Sequence, residues 1–273
     1  MLSRRSFLFK SAAATVAAMA APVLSGSIDG PAQVSPLKGK KVLFVWGGWM
    51  GHEPDKCRDI FVPWMQKEGA EVTVSDKLDA YTEYNLKEDF DLIVQSWTMG
   101  TITNPQEKAL LDAVKSGVGI AGWHGGLGDS FRNNTEYQFM VGGQWVAHPG
   151  GVIDYRVNIT DQEDPVTKGI VDFDMHSEQY FVHVDPNVKV LAVTKFDDSN
   201  AGWIGGNIVP VVWKKYYGNG RVFYSSLGHV AADFNVPQAL EIQKRGINWA
   251  SLSRYEPHET WIMPVYGKQV PAV

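Results

Sequence analysis

Cysteine is nearly absent from this sequence, which carries one, Cys57, among its 273 residues. A single cysteine can form neither an internal disulfide nor a zinc site built from several thiolates. Because Cys57 falls within a predicted helix, we do not expect it to act as a nucleophile either. Covalent chemistry at sulfur and thiolate metal sites are therefore both disfavoured.

Charge of one sign is not in strong excess either. The chain has 25 basic and 30 acidic side chains, a net charge of −5. Proteins that bind nucleic acid usually present a strongly basic surface. We therefore expect no nucleic-acid partner.

A long apolar run is also missing near the N-terminus. The alanine-rich stretch at residues 11–24 has 14 residues, whereas a membrane-spanning helix needs about 20. It follows the pair Arg4-Arg5, and this combination is typical of a twin-arginine export signal. We expect a periplasmic or secreted protein without stable membrane insertion after cleavage, and an N-terminal anchor is the alternative. The predicted segments are a signal peptide at 1–25, a linker at 26–39, a domain at 40–255 and a C-terminal tail at 256–273.

The remaining composition is that of a packed globular protein. Hydrophobic residues make up 44% and charged residues 20% of the chain, which excludes disorder and fibrous folds. Ten Trp, ten Tyr and twelve Phe are a large aromatic content, which fits a core or a sugar-binding surface equally well.

Strand and helix patterns alternate through the first half of the mature chain. Apolar runs at 41–46, 71–75, 90–95 and 119–123 predict strands, and helical patterns separate them. This alternation favours an α/β fold with a doubly wound, mostly parallel sheet. The second half is richer in strand patterns, which predict a β-rich extension of the sheet between about residues 140 and 210. The strand patterns of the second half as a whole lie at 152–159, 188–194, 209–213 and 221–225.

Three histidines each follow a predicted strand. His52 comes after the first, His124 directly after the fourth, and His229 after the strand at 221–225. The carboxyl ends of parallel strands form the ligand-binding edge of such sheets, so these side chains should meet in one crevice. Three imidazoles with an open position suit zinc, and adding Glu178 would suit a harder metal such as manganese. Acid–base catalysis by the same histidines is the alternative.

His124 occupies the centre of a Gly-x-His-x-Gly segment at 122–126, the shape of a strand-to-helix elbow. Because His replaces Ser or Cys there, acyl transfer by an elbow nucleophile is excluded. The candidate catalytic residues are His124, Glu178, Tyr180 and Arg221, and the candidate substrate-binding residues are Trp49, Trp123 and His148. For Arg221 we predict either a hydrogen bond to the loop bearing Glu178 or an exposed charge at a strand start.

The same residues carry a resemblance to the ThuA-like family, named for trehalose utilisation. The matching features, between about residues 41 and 252, are His52, the stretch from Thr103 to His124, Val141-Gly142-Gly143, His148-Pro149, Glu178-Gln179-Tyr180, Pro210–Trp213, and Gly218 to His229. The family commonly has an Asp before its Glu-x-Tyr, where this chain has Ser177. The resemblance implies the class I glutamine amidotransferase-like, flavodoxin-like fold without the catalytic cysteine.

The resemblance also implies a function in the catabolism of disaccharides, particularly keto-glycosides. We expect an exported enzyme, a sugar hydrolase, lyase or isomerase, with a small-molecule sugar as its partner and a divalent metal, zinc or manganese, as its cofactor. Neither a nucleotide nor a flavin is expected, and a homo-oligomer is compatible with the sequence. The alternative is a non-catalytic carbohydrate-binding protein whose sugar cleft is lined by Trp49, Trp123, Trp145 and Trp203.

Overall fold

A computed structural model describes residues 34–260, so the predicted export signal lies outside the described residues. The strands are β1 (Lys41–Gly48), β2 (Glu71–Ser75), β3 (Leu92–Thr98), β4 (Gly119–Trp123), β5 (Gly143–Ala147), β6 (Val152–Ile159), β7 (Phe173–Glu178), β8 (Phe181–Val184), β9 (Lys189–Lys195), β10 (Ile208–Tyr217) and β11 (Gly220–Ser225). The α-helices are α1 (Pro54–Lys67), α2 (Ala80–Glu83), α3 (Leu86–Asp89), α4 (Asn104–Ser116), α5 (His124–Gly128), α6 (Thr135–Val141) and α7 (Pro237–Ser251). Single-turn 3₁₀ helices occupy Met50–His52, Gly202–Ile204 and Ala231–Asn235.

Nine of these strands form one sheet in the order β2-β1-β3-β4-β11-β10-β9-β6-β7. The first five pair in parallel, and the remaining pairings are antiparallel. β5 and β8 form a separate antiparallel pair. The predicted α/β fold is confirmed, and the β-rich extension continues the main sheet as its antiparallel half.

Helices cover both faces of the parallel half, because alternate side chains of each strand point to opposite faces. Val42 and Phe44 of β1 belong to one apolar core together with residues of α1 and α7. Leu43 and Val45 of the same strand belong to a second core with residues of α4. Two buried cores on either side of one sheet are what makes the fold doubly wound.

Residues just outside the predicted domain limits take part in its packing. Leu37 is buried in the core that contains α1. At the other end, the carboxylates of Glu256 and Glu259 contact Arg221 and Lys214. In residues 34–260 no helix combines the length and the apolar character that a membrane crossing requires.

Candidate functional site

Three histidines lie together at the carboxyl edge of the parallel strands. His52 ends the 3₁₀ turn after β1, His124 begins α5 after β4, and His229 lies in the loop after β11. The ring centroids of His52 and His124 are 4.6 Å apart. The His229 centroid lies 5.1 Å from that of His52 and 5.2 Å from that of His124. β4 and β11 are neighbours in the sheet and only β3 separates β1 from β4, so the side chains share one crevice.

Glu178 joins the histidines from the other half of the sheet. It is the last residue of β7, which is the far edge strand. Its Oε2 lies 3.1 Å from His124 Nε2, 3.2 Å from His229 Nδ1 and 3.8 Å from His52 Nε2. We call these four residues the His–Glu cluster, and one ligand atom from each lies within 4.8 Å of all the others.

The backbone at the elbow allows this close approach. His124 adopts φ +46°, a left-handed conformation that is costly for a residue with a side chain and that clusters at functional sites. The next residue is glycine because a Cβ on Gly125 would lie 2.5 Å from Cε1 of His52. The strained elbow and Gly125 together let the His52 and His124 rings meet.

Hydrogen bonds orient two of the imidazole rings. The Nδ1 of His124 lies 2.8 Å from the carbonyl oxygen of Ser226. Since a carbonyl only accepts, His124 carries its proton on Nδ1, and in the neutral ring Nε2 presents a lone pair to Glu178. The Nδ1 of His52 lies 2.9 Å from Thr98 Oγ1, which leaves Nε2 facing the cluster. This is the arrangement by which ligating histidines are held.

Burial and neighbouring charges set the protonation of the cluster. Burial and the nearby histidines lower the pKa of His52 to about 2. Burial is also the main reason why the pKa of His124 is lowered. For Glu178 burial raises the pKa, but the hydrogen bonds and the positive charge that His124 and His229 offer when protonated outweigh it and bring the pKa well below its ordinary value. At neutral pH an ionised carboxylate therefore faces two neutral imidazoles.

This donor set fits a divalent metal. With His124 neutral, its Nε2 lone pair and a carboxylate oxygen face each other across 3.1 Å without a hydrogen between them. The buried Nδ1 of His229 likewise has no hydrogen-bond partner, although Glu178 is close. Ligand atoms around a tetrahedral zinc lie about 3.3 Å apart, near the 3.1–3.8 Å spacings around Glu178 Oε2. A cation among these atoms would satisfy all of them.

Several other predicted site residues surround the cluster. Tyr180 is buried and stacks on the His124 ring, with centroids 3.9 Å apart and planes 28° apart. His148 Nδ1 lies 3.8 Å from Glu178 Oε1. Trp49 is 47% exposed and meets the His52 ring edge-on. Trp145 lies beside His148, with centroids 5.6 Å apart. These four residues form the wall and rim of the site.

Two predicted site residues lie elsewhere. Trp123 is buried in the core against Phe61 and Phe234, because the residue before the elbow points to the opposite face of the strand. Arg221 lies at the amino end of β11, away from Glu178, and is buried rather than exposed. Its guanidinium donates to the Trp249 carbonyl and to Glu256. Both predictions for Arg221 were wrong, since it binds the C-terminal segment.

The residues that support the ligands were not predicted from the sequence. Thr98 and Ser226 hold the rings of His52 and His124, but an ordinary hydroxyl residue and a backbone carbonyl leave no sequence signal. Asp233 accepts hydrogen bonds from Ser177 and from the backbone of His229. Its position four residues after His229 was the one available hint.

Known structures share this architecture. A ThuA-like protein from Bacteroides uniformis matches with a TM-score of 0.65 at 15% identity, covering 82% of this chain and 95% of the other. A ThuA-like protein from Parabacteroides merdae matches with a TM-score of 0.61 at 17% identity, covering 78% and 90%. At these identities the likeness concerns the fold alone. Comparison with curated protein sequences gives no significant match.

The family is established by sequence. The ThuA family model, described as trehalose utilisation, matches residues 41–250, which is more than half of the chain. The chain therefore belongs to the ThuA family, as the motifs around His52, His124, Glu178 and His229 indicated. Membership in this family supports a function related to carbohydrate utilisation.

Proposed function

We propose that this protein is a metal-dependent enzyme of carbohydrate catabolism that acts on a disaccharide or keto-glycoside. The observation that carries the proposal is the His–Glu cluster, in which three imidazoles face one carboxylate and the buried Nδ1 of His229 has no hydrogen-bond partner. A buried polar atom without a partner is costly in a merely structural role. Family membership supports a carbohydrate as the substrate.

The four cluster residues would hold the metal, and zinc or manganese are the candidates. When bound, such an ion polarises a carbonyl or lowers the pKa of a water molecule. The chain contributes orientation, because Ser226 and Thr98 fix two of the rings. This chemistry is compatible with a sugar hydrolase, lyase or isomerase.

His148 is suited to move a proton between the site and the substrate. Its side chain is 36% exposed, so it reaches both solvent and the Glu178 carboxylate. Its Nδ1 has no hydrogen-bond partner. Trp49, exposed beside His52, offers an apolar face on which a sugar ring can stack. Tyr180 packs flat on His124 and keeps that ring in place.

The metal is tested by elemental analysis of protein purified without a histidine tag. We expect close to one equivalent of zinc or manganese in the wild type and a strong loss in His124→Gln. The matched control is His176→Gln, which removes an exposed histidine paired with Asp154 on the surface. Less than about one tenth of an equivalent after incubation with both metals would contradict the site, since structural and catalytic sites bind far more tightly.

The activity is tested by screening disaccharides and keto-glycosides with and without a chelator. Turnover that disappears with the chelator and returns with the metal supports the enzyme. Saturable sugar binding without turnover would instead indicate a carbohydrate-binding protein. In that alternative, Trp203, which is 87% exposed, is available to line a binding surface, whereas Trp123 is not.

We also propose export to the periplasm or outside the cell through the twin-arginine signal at residues 1–25. The support is the Arg4-Arg5 pair followed by a weakly apolar stretch. Changing both arginines to lysine should leave precursor in the cytoplasm, as fractionation would show. Normal export of that variant would exclude the twin-arginine route.

A further inference from the structure

Asp233 lies outside the His–Glu cluster but is bonded to two parts of it. It belongs to the 3₁₀ turn Ala231–Asn235 and is 7% exposed. One oxygen, Oδ2, accepts a hydrogen bond from the Ser177 hydroxyl at 2.6 Å and from the His229 backbone N–H at 2.9 Å. A single carboxylate oxygen therefore ties together the segments that carry Glu178 and His229.

The sheet by itself does not set the distance between these two residues. Glu178 ends β7, which is separated from β11 by β10, β9 and β6. Ser177 immediately precedes Glu178, so its bond to Asp233 anchors the end of this edge strand. Hydrogen bonds to a charged group are stronger and shorter than neutral ones, which makes the carboxylate an effective bridge.

His229 depends on this bridge more than the other histidines do. The rings of His52 and His124 are each held by a direct hydrogen bond at Nδ1. Apart from Glu178 Oε2 at 3.2 Å, which is not aligned as a regular hydrogen bond, the Nδ1 of His229 has no partner that would hold its ring. The position of its ring therefore follows from where the backbone is held. On the other side of the loop, Glu53 Oε2 accepts from the Ala231 N–H at 3.2 Å, a longer contact.

We propose that Asp233 is a positioning residue that holds the His229 imidazole against the Glu178 carboxylate. Through that contact it sets the spacing of two metal ligands, and this consequence rests on the proposed metal site. The side-chain hydrogen bonds of Asp233 go to the Ser177 hydroxyl and the His229 backbone N–H, so it acts through these two groups. Outer partners of this kind typically change metal affinity by about 10–100-fold when removed.

The experiment compares Asp233→Ala with a matched control, Asp172→Ala. Asp172 also bridges a backbone N–H and a side chain, those of Ile159 and Asn158, but precedes β7 at its opposite end from Glu178. The probe is Co²⁺, followed by its visible absorption spectrum. We expect Asp233→Ala to bind Co²⁺ about 10–100-fold more weakly, with an altered spectrum, and Asp172→Ala to match the wild type.

A second measurement uses metal-free protein. Ring ¹⁵N–¹H correlation spectra should show changed His229 resonances in Asp233→Ala, whereas the exposed His176 should keep its own. Ser177→Ala removes one of the two bonds and should give the same changes with smaller amplitude. If Asp233→Ala does not fold, Ser177→Ala still tests whether the bridge through Asp233 positions His229.

The outcomes separate this inference from the proposed function. Unchanged His229 resonances and unchanged Co²⁺ affinity, even with lower thermal stability, would show that Asp233 is merely structural and overturn the inference. If the wild type binds no Co²⁺, Zn²⁺ or Mn²⁺, the metal site is wrong, yet the metal-free ring spectra still decide whether Asp233 positions His229.

Discussion

Two buried polar clusters in this protein are built on opposite principles. In the antiparallel half, Asp164 lies 2.8 Å from Lys214 and 2.7 Å from Lys189, and Lys214 also lies 2.9 Å from Glu259. Every charge there is matched by an opposite one. In the His–Glu cluster a carboxylate faces three imidazoles, and the Nδ1 of one of them, His229, has no hydrogen-bond partner. The first cluster therefore stabilises the fold by pairing its buried charges. In the His–Glu cluster, by contrast, the buried carboxylate has no Lys or Arg side chain as its partner.

Charge matching distinguishes a structural cluster from a binding site among buried polar groups. Removing one partner from a matched buried pair leaves an uncompensated charge, which is strongly destabilising. Removing the carboxylate from the His–Glu cluster leaves no Lys or Arg side chain unpaired, so it should cost less. A substitution in the first cluster should therefore mainly lower stability, whereas a substitution in the His–Glu cluster should mainly lower metal binding.

The largest expected effect is that of Asp164→Asn. It removes the carboxylate shared by Lys189 and Lys214, and we expect the free energy of unfolding to fall by about 3–5 kcal/mol. The matched change in the other cluster, Glu178→Gln, leaves the neutral imidazoles of His52 and His124 but no buried Lys without its counter-ion, so it should lower the free energy of unfolding by less than Asp164→Asn does and abolish metal uptake. Urea unfolding of both variants without metal measures the contrast. Equal losses in the two variants would remove the distinction between the clusters.

A steric change can move the His52 ring without removing any of the proposed metal ligands. In Gly125→Ala the new Cβ would lie 2.5 Å from the His52 ring, which must move away. We expect a loss of about 1–3 kcal/mol from overpacking and weaker metal binding. Gly202→Ala is the control, because a Cβ there meets no atom within 4 Å.

Isothermal titration with Zn²⁺ would detect this change in binding. Wild-type affinity in Gly125→Ala would mean that the position of the His52 ring is unimportant for the site.

The smallest expected effect is a pH dependence of the metal-free protein. The pKa of His52 is about 2 in the folded state against 6.5 ordinarily, so below pH 6.5 the unfolded state binds the extra proton. Stability is then lost as the pH falls. Between pH 7.5 and 5.5 this histidine should account for about 1.4 kcal/mol. The lowered pKa of Glu178 acts only below its ordinary value of 4.5, outside this window.

Urea unfolding at the two pH values measures this effect, with His52→Gln as the comparison. The wild type should lose about 1.4 kcal/mol more than the variant. An equal loss in both would show that burial does not keep His52 neutral.

Local pattern was enough to place much of the parallel half. The apolar runs at 41–46, 71–75 and 119–123 predicted β1, β2 and β4, because periodicity and glycine positions are properties of neighbouring residues. The placement of His52, His124 and His229 just after strands followed from the same reasoning. The doubly wound fold and the region of the site could therefore be predicted from the sequence.

Tertiary structure decided what non-local contacts control. β5, β7 and β8 were not predicted, because these strands have no long apolar run and are defined by partners elsewhere along the chain. Glu178 was a candidate by its motif, but its approach from the far edge strand depends on how the antiparallel half packs. Arg221 and Trp123 lie in the interior for the same reason. Which polar residue is matched and which is left without a partner is a property of the folded chain, because it depends on groups brought together from distant segments.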